Sequence, residues 1–428
     1  MRFSFLSNIL FTSEKFNRDV FWNIVSFIVS GICGLIVTYL IARNYDAETL
    51  GLFNISFVIY NLFAQLFSFG IHFSVLKYVA EFVENSLLVR TILTSALILV
   101  FVTSSILSFI VFILRYLIGD VFNSVLLPEA LTYLLPGIFF FSINKVFFSF
   151  YNGLRSMRIF SVMFSLKFVI MLLTVVLLIN LNSPGVKSTL AFSSAEGLVF
   201  FVFIIFSLKN IRFDLSSQKE WLIKHFKYGL RVAGGNLLVD VNTRIDVMIL
   251  GIITNEKIVG LYSLPITIIE GFNQFITAIR NNVNPIITNY FISNRVQELR
   301  QKLLKGRNLL YFLGIPLILF TIVIYPYLLS FLGLDEKYGL SYLPYIILII
   351  GFTISWGYQP YTMIFNQIGY PHLQSFYYLL VFCTNLILNL VLISQFGLIG
   401  AAIATGLSYI SWVLYLKLLL YKVHILKI

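Results

Sequence analysis

The chain is a succession of apolar windows of about twenty residues, broken only by short charged or turn-forming segments. A helix of that length rises about 30 Å, the thickness of a bilayer's hydrocarbon core. The windows fall at 20–42, 52–76, 91–114, 130–152, 160–181, 189–208, 229–252, 259–282, 308–332, 342–365, 373–394 and 397–420. Backbone groups in hydrocarbon must find their partners within the segment, so each window is expected to be a helix. Composition agrees: hydrophobic residues make up 59% of 428 positions and charged residues 11%. A soluble domain carries roughly a quarter charged residues, so lipid must solvate part of this surface. The expected fold is all-α and membrane-integral, with about a dozen spans. Residues such as Phe3, Phe5, Leu6 and Ile9 read as an interfacial lead-in to the first span.

The net charge of +12 does not point to nucleic acid, because the basic residues sit at the ends of the windows. With the N-terminus in the cytoplasm, 23 of the 30 Lys and Arg residues fall on the inner side, Lys167 among them. Only Arg43, Arg115, Lys187, Lys257 and Lys337 fall outside, and Lys145 and Arg244 lie within windows. That asymmetry sets the expected topology, a multi-pass protein of the plasma (inner) membrane with both termini cytoplasmic. The outer loops are short, which leaves little material for the extracytoplasmic site of a glycan polymerase or ligase. His72, His225, His372 and His424 are scattered, and Cys33 and Cys383 lie in apolar runs as expected core residues. No P-loop, dinucleotide fingerprint or metal-ligand spacing is present, so no cofactor, metal or bound ATP is expected.

The two halves share patterns. Thr49-Leu-Gly51-Leu-Phe53 resembles Ile258-Val-Gly260-Leu-Tyr262 at an offset of 209, which also relates Phe63 to Phe272 and Gln65 to Gln274. Phe150-Tyr151-Asn152 resembles Ile364-Phe365-Asn366 at an offset of 214. Each half holds six windows, an even number, so both enter the membrane the same way. The expected organisation is an N-terminal lobe, 1–215, and a C-terminal lobe, 216–428, flanking a central cavity.

Ionisable groups inside spans are costly in hydrocarbon and mark functional sites. Six are candidates: Lys145, Glu196, Asp240, Arg244, Asp246 and Glu270. Asn236, Asp240 and Arg244 recur at i, i+4 and i+8, one polar stripe on a continuous helix. Helical rise places Asp240 about 16 Å and Arg244 about 22 Å into the seventh span. The stripe could be a mutually neutralising Asp240–Arg244 pair that fixes packing. It could equally line the cavity, with Arg244 and Asn236 meeting an anionic substrate and Asp240 coupling an ion. Asp246, nearer the outer end, is either solvated or part of the coupling set. Glu196 and Glu270 are candidate cation or proton sites, or partners for Arg244. Lys145 could meet a lipid phosphate or snorkel.

Asp246-Val-Met-Ile-Leu-Gly251 followed by Val259-Gly-Leu-Tyr262, the Asn366-Gln-Ile-Gly369 turn, and Gly397-Leu-Ile-Gly400-Ala-Ala-Ile-Ala-Thr405 carry a resemblance. They are similar to segments of the polysaccharide-repeat-unit (Wzx-type) flippases. Those are the O-antigen, lipopolysaccharide and capsule exporters of the multidrug/oligosaccharidyl-lipid/polysaccharide exporter superfamily. The resemblance implies two six-helix lobes working by alternating access. It implies a lipid-linked oligosaccharide substrate on undecaprenyl diphosphate, moved from inner to outer leaflet, with a cation gradient as a candidate drive. It also implies a monomer among membrane lipids, with a polysaccharide polymerase and chain-length proteins as partners and no nucleic acid. Arg244 and Lys145 would supply the cationic lining. The rival within the superfamily is a multidrug/cation antiporter, which would use Glu196, Asp240 and Glu270 as an acidic binding set.

Overall fold

The computed structural model describes residues 14–208 and 215–422, and only the backbone of 14–17, 20, 215–217 and 233–240. The interfacial segment expected at the N-terminus lies outside the described residues. Among the described residues there is no strand. The first half comprises α1 (Glu14–Asn44), α2 (Ala47–Ser68), α3 (Ile71–Glu81), α4 (Ser86–Val121), α5 (Leu127–Gly153), α6 (Met157–Asn180) and α7 (Leu190–Ser207). The second comprises α8 (Leu215–Asn242), α9 (Ile245–Ile253), α10 (Glu256–Ile292), α11 (Val296–Phe331), α12 (Tyr342–Trp356) and α13 (Pro371–Lys422). Nine of the described helices are long and apolar enough to cross a membrane.

Three expected windows are not continuous helices, and each break has a local cause. The second divides where Phe69 and Gly70 adopt left-handed backbone, at φ 48° and 68°. The seventh divides at Thr243–Arg244, between α8 and α9. The tenth ends as a helix at Trp356 and continues through a 3-10 turn at Gln359–Tyr361, where Pro360 has no N–H for an α-helical ladder. Conversely, α13 carries two windows. It turns at Gly397, whose φ of 52° breaks a 52-residue run that would otherwise extend about 78 Å.

Backbone contacts divide the chain into two compact units. Unit 1 takes 59–116 and 128–237 together with residues up to Leu40, and unit 2 takes 41–58, 117–127 and 238–428. Packing therefore assigns 216–237 to unit 1, and 41–58 and 117–127 to unit 2, where the sequence alone suggests one division near 215. Ile92, Phe147, Phe150 and Phe203 are fully buried in the core of unit 1, and Ile287, Ile364 and Phe365 in a core of unit 2. Other apolar side chains point outward. Along α4, Ile106, Phe109, Ile113 and Leu117 are more than half exposed, and only 17% of its most apolar window is buried. This is a lipid-facing surface, which water would not tolerate. Cys33 is buried as expected, whereas Cys383 is exposed and so is not a core residue.

Unit 2 also explains the repeated Gly-Leu motif. A side-chain carbon at Gly51 would lie 1.7 Å from the Glu256 carbonyl oxygen, and one at Gly260 would lie 1.9 Å from the Ala47 carbonyl oxygen. Ala47 and Glu256 are related by the same offset of 209 as the two glycines. The contact is thus reciprocal, each helix start presenting its glycine to the other's backbone, as small residues allow in membrane packing. Gly51→Ala is expected to cost about 1–3 kcal/mol, the range for forced overpacking. Gly31→Ala, where an added carbon meets nothing within 4 Å, should leave the detergent melting midpoint unchanged. Equal midpoints for the two variants would refute the close crossing.

Candidate functional site

The ionisable side chains gather into two polar clusters, one in each unit. In unit 1, Glu196 of α7 is fully buried. Its Oε1 lies 2.8 Å from the Lys167 ammonium of α6 and accepts a hydrogen bond from the Tyr60 hydroxyl of α2. Its Oε2 accepts from Asn144 Nδ2 of α5 at 2.6 Å. The same amide nitrogen reaches the Glu196 carbonyl at 2.9 Å, so one asparagine clamps both the side chain and its backbone. Lys167 also stands 4.0 Å from the centre of the Phe141 ring. Four helices thus contribute to one dry, neutralised carboxylate.

Lys167 is the residue that sequence reasoning misplaced. Counted among the inner-surface cations, it is instead 7% exposed. The signal was available, since Lys167 stands well inside the 160–181 window. A topology count gives credit only to cations at span ends. Lys145 is half-buried. Its ammonium donates to Gln65 Oε1 at 2.5 Å and lies 5.1 Å from the Phe141 ring, so this ring faces both lysines.

In unit 2 the chain break in the seventh span sets the geometry. Arg244 stands between α8 and α9 with φ −137° and ψ 14°, so the stripe from Asn236 through Asp240 to Arg244 does not run on a continuous helix. The side chains of Asn236 and Asp240 lie outside the described residues. The Asn242 carbonyl oxygen and side-chain oxygen, freed at the break, accept from Asn385 Nδ2 at 3.4 and 3.2 Å. Asn385 sits on α13 and thereby satisfies broken backbone in an apolar setting. Arg244 Nη2 pairs with Glu270 Oε1 of α10 at 2.7 Å, and its guanidinium stacks 4.7 Å from the Phe57 ring. Of the sequence alternatives for Arg244, the described partner is Glu270.

Asp246 is not the solvated residue its position near a span end suggests, being 4% exposed. Its Oδ2 accepts from the Tyr262 hydroxyl at 2.7 Å and the Thr405 hydroxyl at 3.2 Å. Its Oδ1 accepts from the Val247 N–H at 2.9 Å. Asp246, Tyr262 and Thr405 come from three separate motifs, Asp246–Gly251, Val259–Tyr262 and Gly397–Thr405. Those motifs look apolar and unspecific in sequence because their polar residues are spent on one another.

Exposure separates the two ion pairs. The Lys167 and Glu196 side chains are 9% and 0% exposed, those of Arg244 and Glu270 17% and 33%. The Arg244–Glu270 pair therefore keeps some solvent contact. Reaching Lys167 would require opening a sealed cluster.

Comparison with known proteins follows the same lines. A family model described as "Polysaccharide biosynthesis protein" matches residues 16–291, and one described as "MatE" matches 232–391. The "Probable flippase AglR" of Haloferax volcanii is 25% identical over 225 residues, covering 52% of this chain and 47% of that protein. The match therefore spans about half the length of that relative. Among solved structures, the lipid II flippase MurJ in an inward closed conformation superposes with a TM-score of 0.75 at 19% identity, covering 94% of this chain and 87% of that one. An inward-facing multidrug resistance MATE transporter superposes at 0.74 and 12% identity, covering 95% and 98%. A superfamily transporter from Pyrococcus furiosus, described as having a binding pocket of reverse polarity, superposes at 0.63 and 14% identity, covering 95% of each. At these identities the structural likeness is one of fold.

Proposed function

The chain belongs to the polysaccharide biosynthesis protein family, flippases of the multidrug/oligosaccharidyl-lipid/polysaccharide exporter superfamily, and from that premise we propose that it carries a diphosphate-linked oligosaccharide lipid across the membrane. It is a multi-pass transporter and not an enzyme. The proposed substrate hangs from undecaprenyl diphosphate, and movement runs from inner to outer leaflet by alternating access. The Lys and Arg asymmetry supports a plasma-membrane orientation with cytoplasmic termini.

The observation that carries the substrate class is the partly exposed Arg244–Glu270 pair, 17% and 33% exposed. A guanidinium offers paired N–H donors that match phosphate oxygens. An arriving diphosphate competes with Glu270 for Arg244, and displacement leaves the Glu270 carboxylate to take up a proton or metal cation. Substrate entry and cation uptake are then linked through one arginine, without ATP. Asp240 belongs to the same coupling set, and Asn236 and Lys145 to the substrate path, while Asp246 is held by Tyr262 and Thr405.

The antiporter reading uses the same acids to bind a soluble cation directly. Reconstituted vesicles separate the two. Purified protein should move a fluorescent undecaprenyl-diphosphate oligosaccharide into a leaflet accessible to a membrane-impermeant quencher, and should leave a soluble cationic dye untransported. Dye transport without lipid flipping would overturn the proposal in favour of the antiporter.

A further inference from the structure

A second basic site lies in unit 1. A cavity of about 770 Å³ opens where the start of α1 meets the turn into α6, lined by Arg18, Asp19, Trp22, Arg155 and Arg158 and walled by Met157, Ile159, Val162, Met163 and Phe206. We propose that this pocket binds the phosphate of a membrane lipid and holds the first part of its chain.

Three guanidiniums face one carboxylate there, and among the described residues none of the three lies within ion-pair distance of an acid. The turn that presents them is built, not frayed. Arg155 adopts left-handed backbone at φ 54°, held by its own N–H on the Asn152 carbonyl at 2.9 Å and by the Ser156 N–H on the Tyr151 carbonyl at 2.8 Å. A non-glycine residue in that region is uncommon. Here it places Arg155 and Arg158 on either side of the start of α6. Arg158 rests 5.4 Å from the Trp22 ring centre, a cation–π contact that brings this guanidinium to the start of α1. Ser161 donates to Asn23 Oδ1 at 3.1 Å, tying α6 to α1 just below the pocket.

The remaining wall is apolar. Val162 and Phe206 are 42% and 57% exposed, on helices that continue into hydrocarbon. A free phosphate would gain nothing from that wall, whereas an amphiphile uses both halves. The cavity falls within the 300–1,000 Å³ range of ligand sites, enough for a phosphorylated head group and the root of one chain. The inference does not depend on which molecule is transported: a resident phospholipid and the transported lipid diphosphate share this chemistry.

Native mass spectrometry of the full chain in detergent, titrated with phosphatidylglycerol and separately with a polyprenyl diphosphate, tests it. The combined variant Arg18→Gln, Arg155→Gln, Arg158→Gln is expected to lose at least about tenfold in affinity for whichever lipid binds, and that lipid identifies the source. The control Lys219→Gln, Lys224→Gln, Lys227→Gln removes as much charge from the start of α8 and should retain the lipid. Equal loss in both variants, or none in the first, overturns the site. If the triple variant does not fold, Arg155→Gln with Arg158→Gln carries the same comparison. Oleate, with a carboxylate in place of phosphate, should bind at least about tenfold more weakly; equal binding would overturn the phosphate assignment.

Discussion

Arg244→Ala should reduce surface-polysaccharide export at least about tenfold while protein level and membrane insertion stay normal. Losing a desolvated, hydrogen-bonded charge contact costs about 2–5 kcal/mol, and each 1.4 kcal/mol is about tenfold. Arg244→Lys keeps the charge but not the paired donors, so it should recover only part of the activity. The substitution also leaves Glu270 without its 2.7 Å partner, which by itself could impair the protein. The melting midpoint of Arg244→Ala in detergent removes that complication: export lost at a wild-type midpoint is a loss of transport and not of folding. Wild-type export by Arg244→Ala would remove Arg244 from transport.

Lys167→Met should have the largest effect on stability. It leaves Glu196 fully buried with hydrogen bonds but no counter-charge, and breaking one half of a buried ion pair costs about 3–5 kcal/mol. Glu196→Gln should be destabilising too, leaving the Lys167 ammonium beside the Phe141, Tyr60 and Phe168 rings, at 4.0, 5.2 and 5.6 Å, with no counter-charge. The double variant, which removes both charges, should regain most of the loss, since well-packed neutral replacements of buried pairs are often near neutral. Melting midpoints in detergent, followed by tryptophan fluorescence, give the three comparisons. A Lys167→Met midpoint equal to wild type would show that the pair does not hold unit 1 together. Pairing and sealing make Glu196 a fixed counter-ion to a tethered ammonium. The Arg244–Glu270 pair keeps more solvent contact, at 17% and 33% exposed.

The two pairs also show how far the candidate site was legible in sequence. Glu196, Arg244 and Glu270 were visible as charges inside apolar windows, because hydrocarbon makes every such residue expensive. Glu270 stood among several partners open to Arg244 in the sequence, but nothing there pointed to Lys167 as the partner of Glu196. The Lys167–Glu196 contact joins positions on two helices, and no periodicity relates them. The spacing of Asn236, Asp240 and Arg244 suggested a stripe only on the premise of an unbroken helix. That premise failed at Thr243–Arg244, where Asn385 on α13 supplies the hydrogen bonds that make a break tolerable. Asp246 looked close enough to water to be solvated, yet Tyr262 and Thr405 enclose it.

What the sequence determined by itself follows from solvent. Apolar length dictates membrane helices, because unpaired backbone cannot survive in hydrocarbon. The twelve windows, the paired halves and the Gly51–Gly260 motif were therefore readable without coordinates. Only the tertiary structure decided which charges meet, which of them stay accessible, and where spans break. Those outcomes depend on side chains from different helices arriving at one point, where a hydrogen bond or counter-charge offsets the cost of burial.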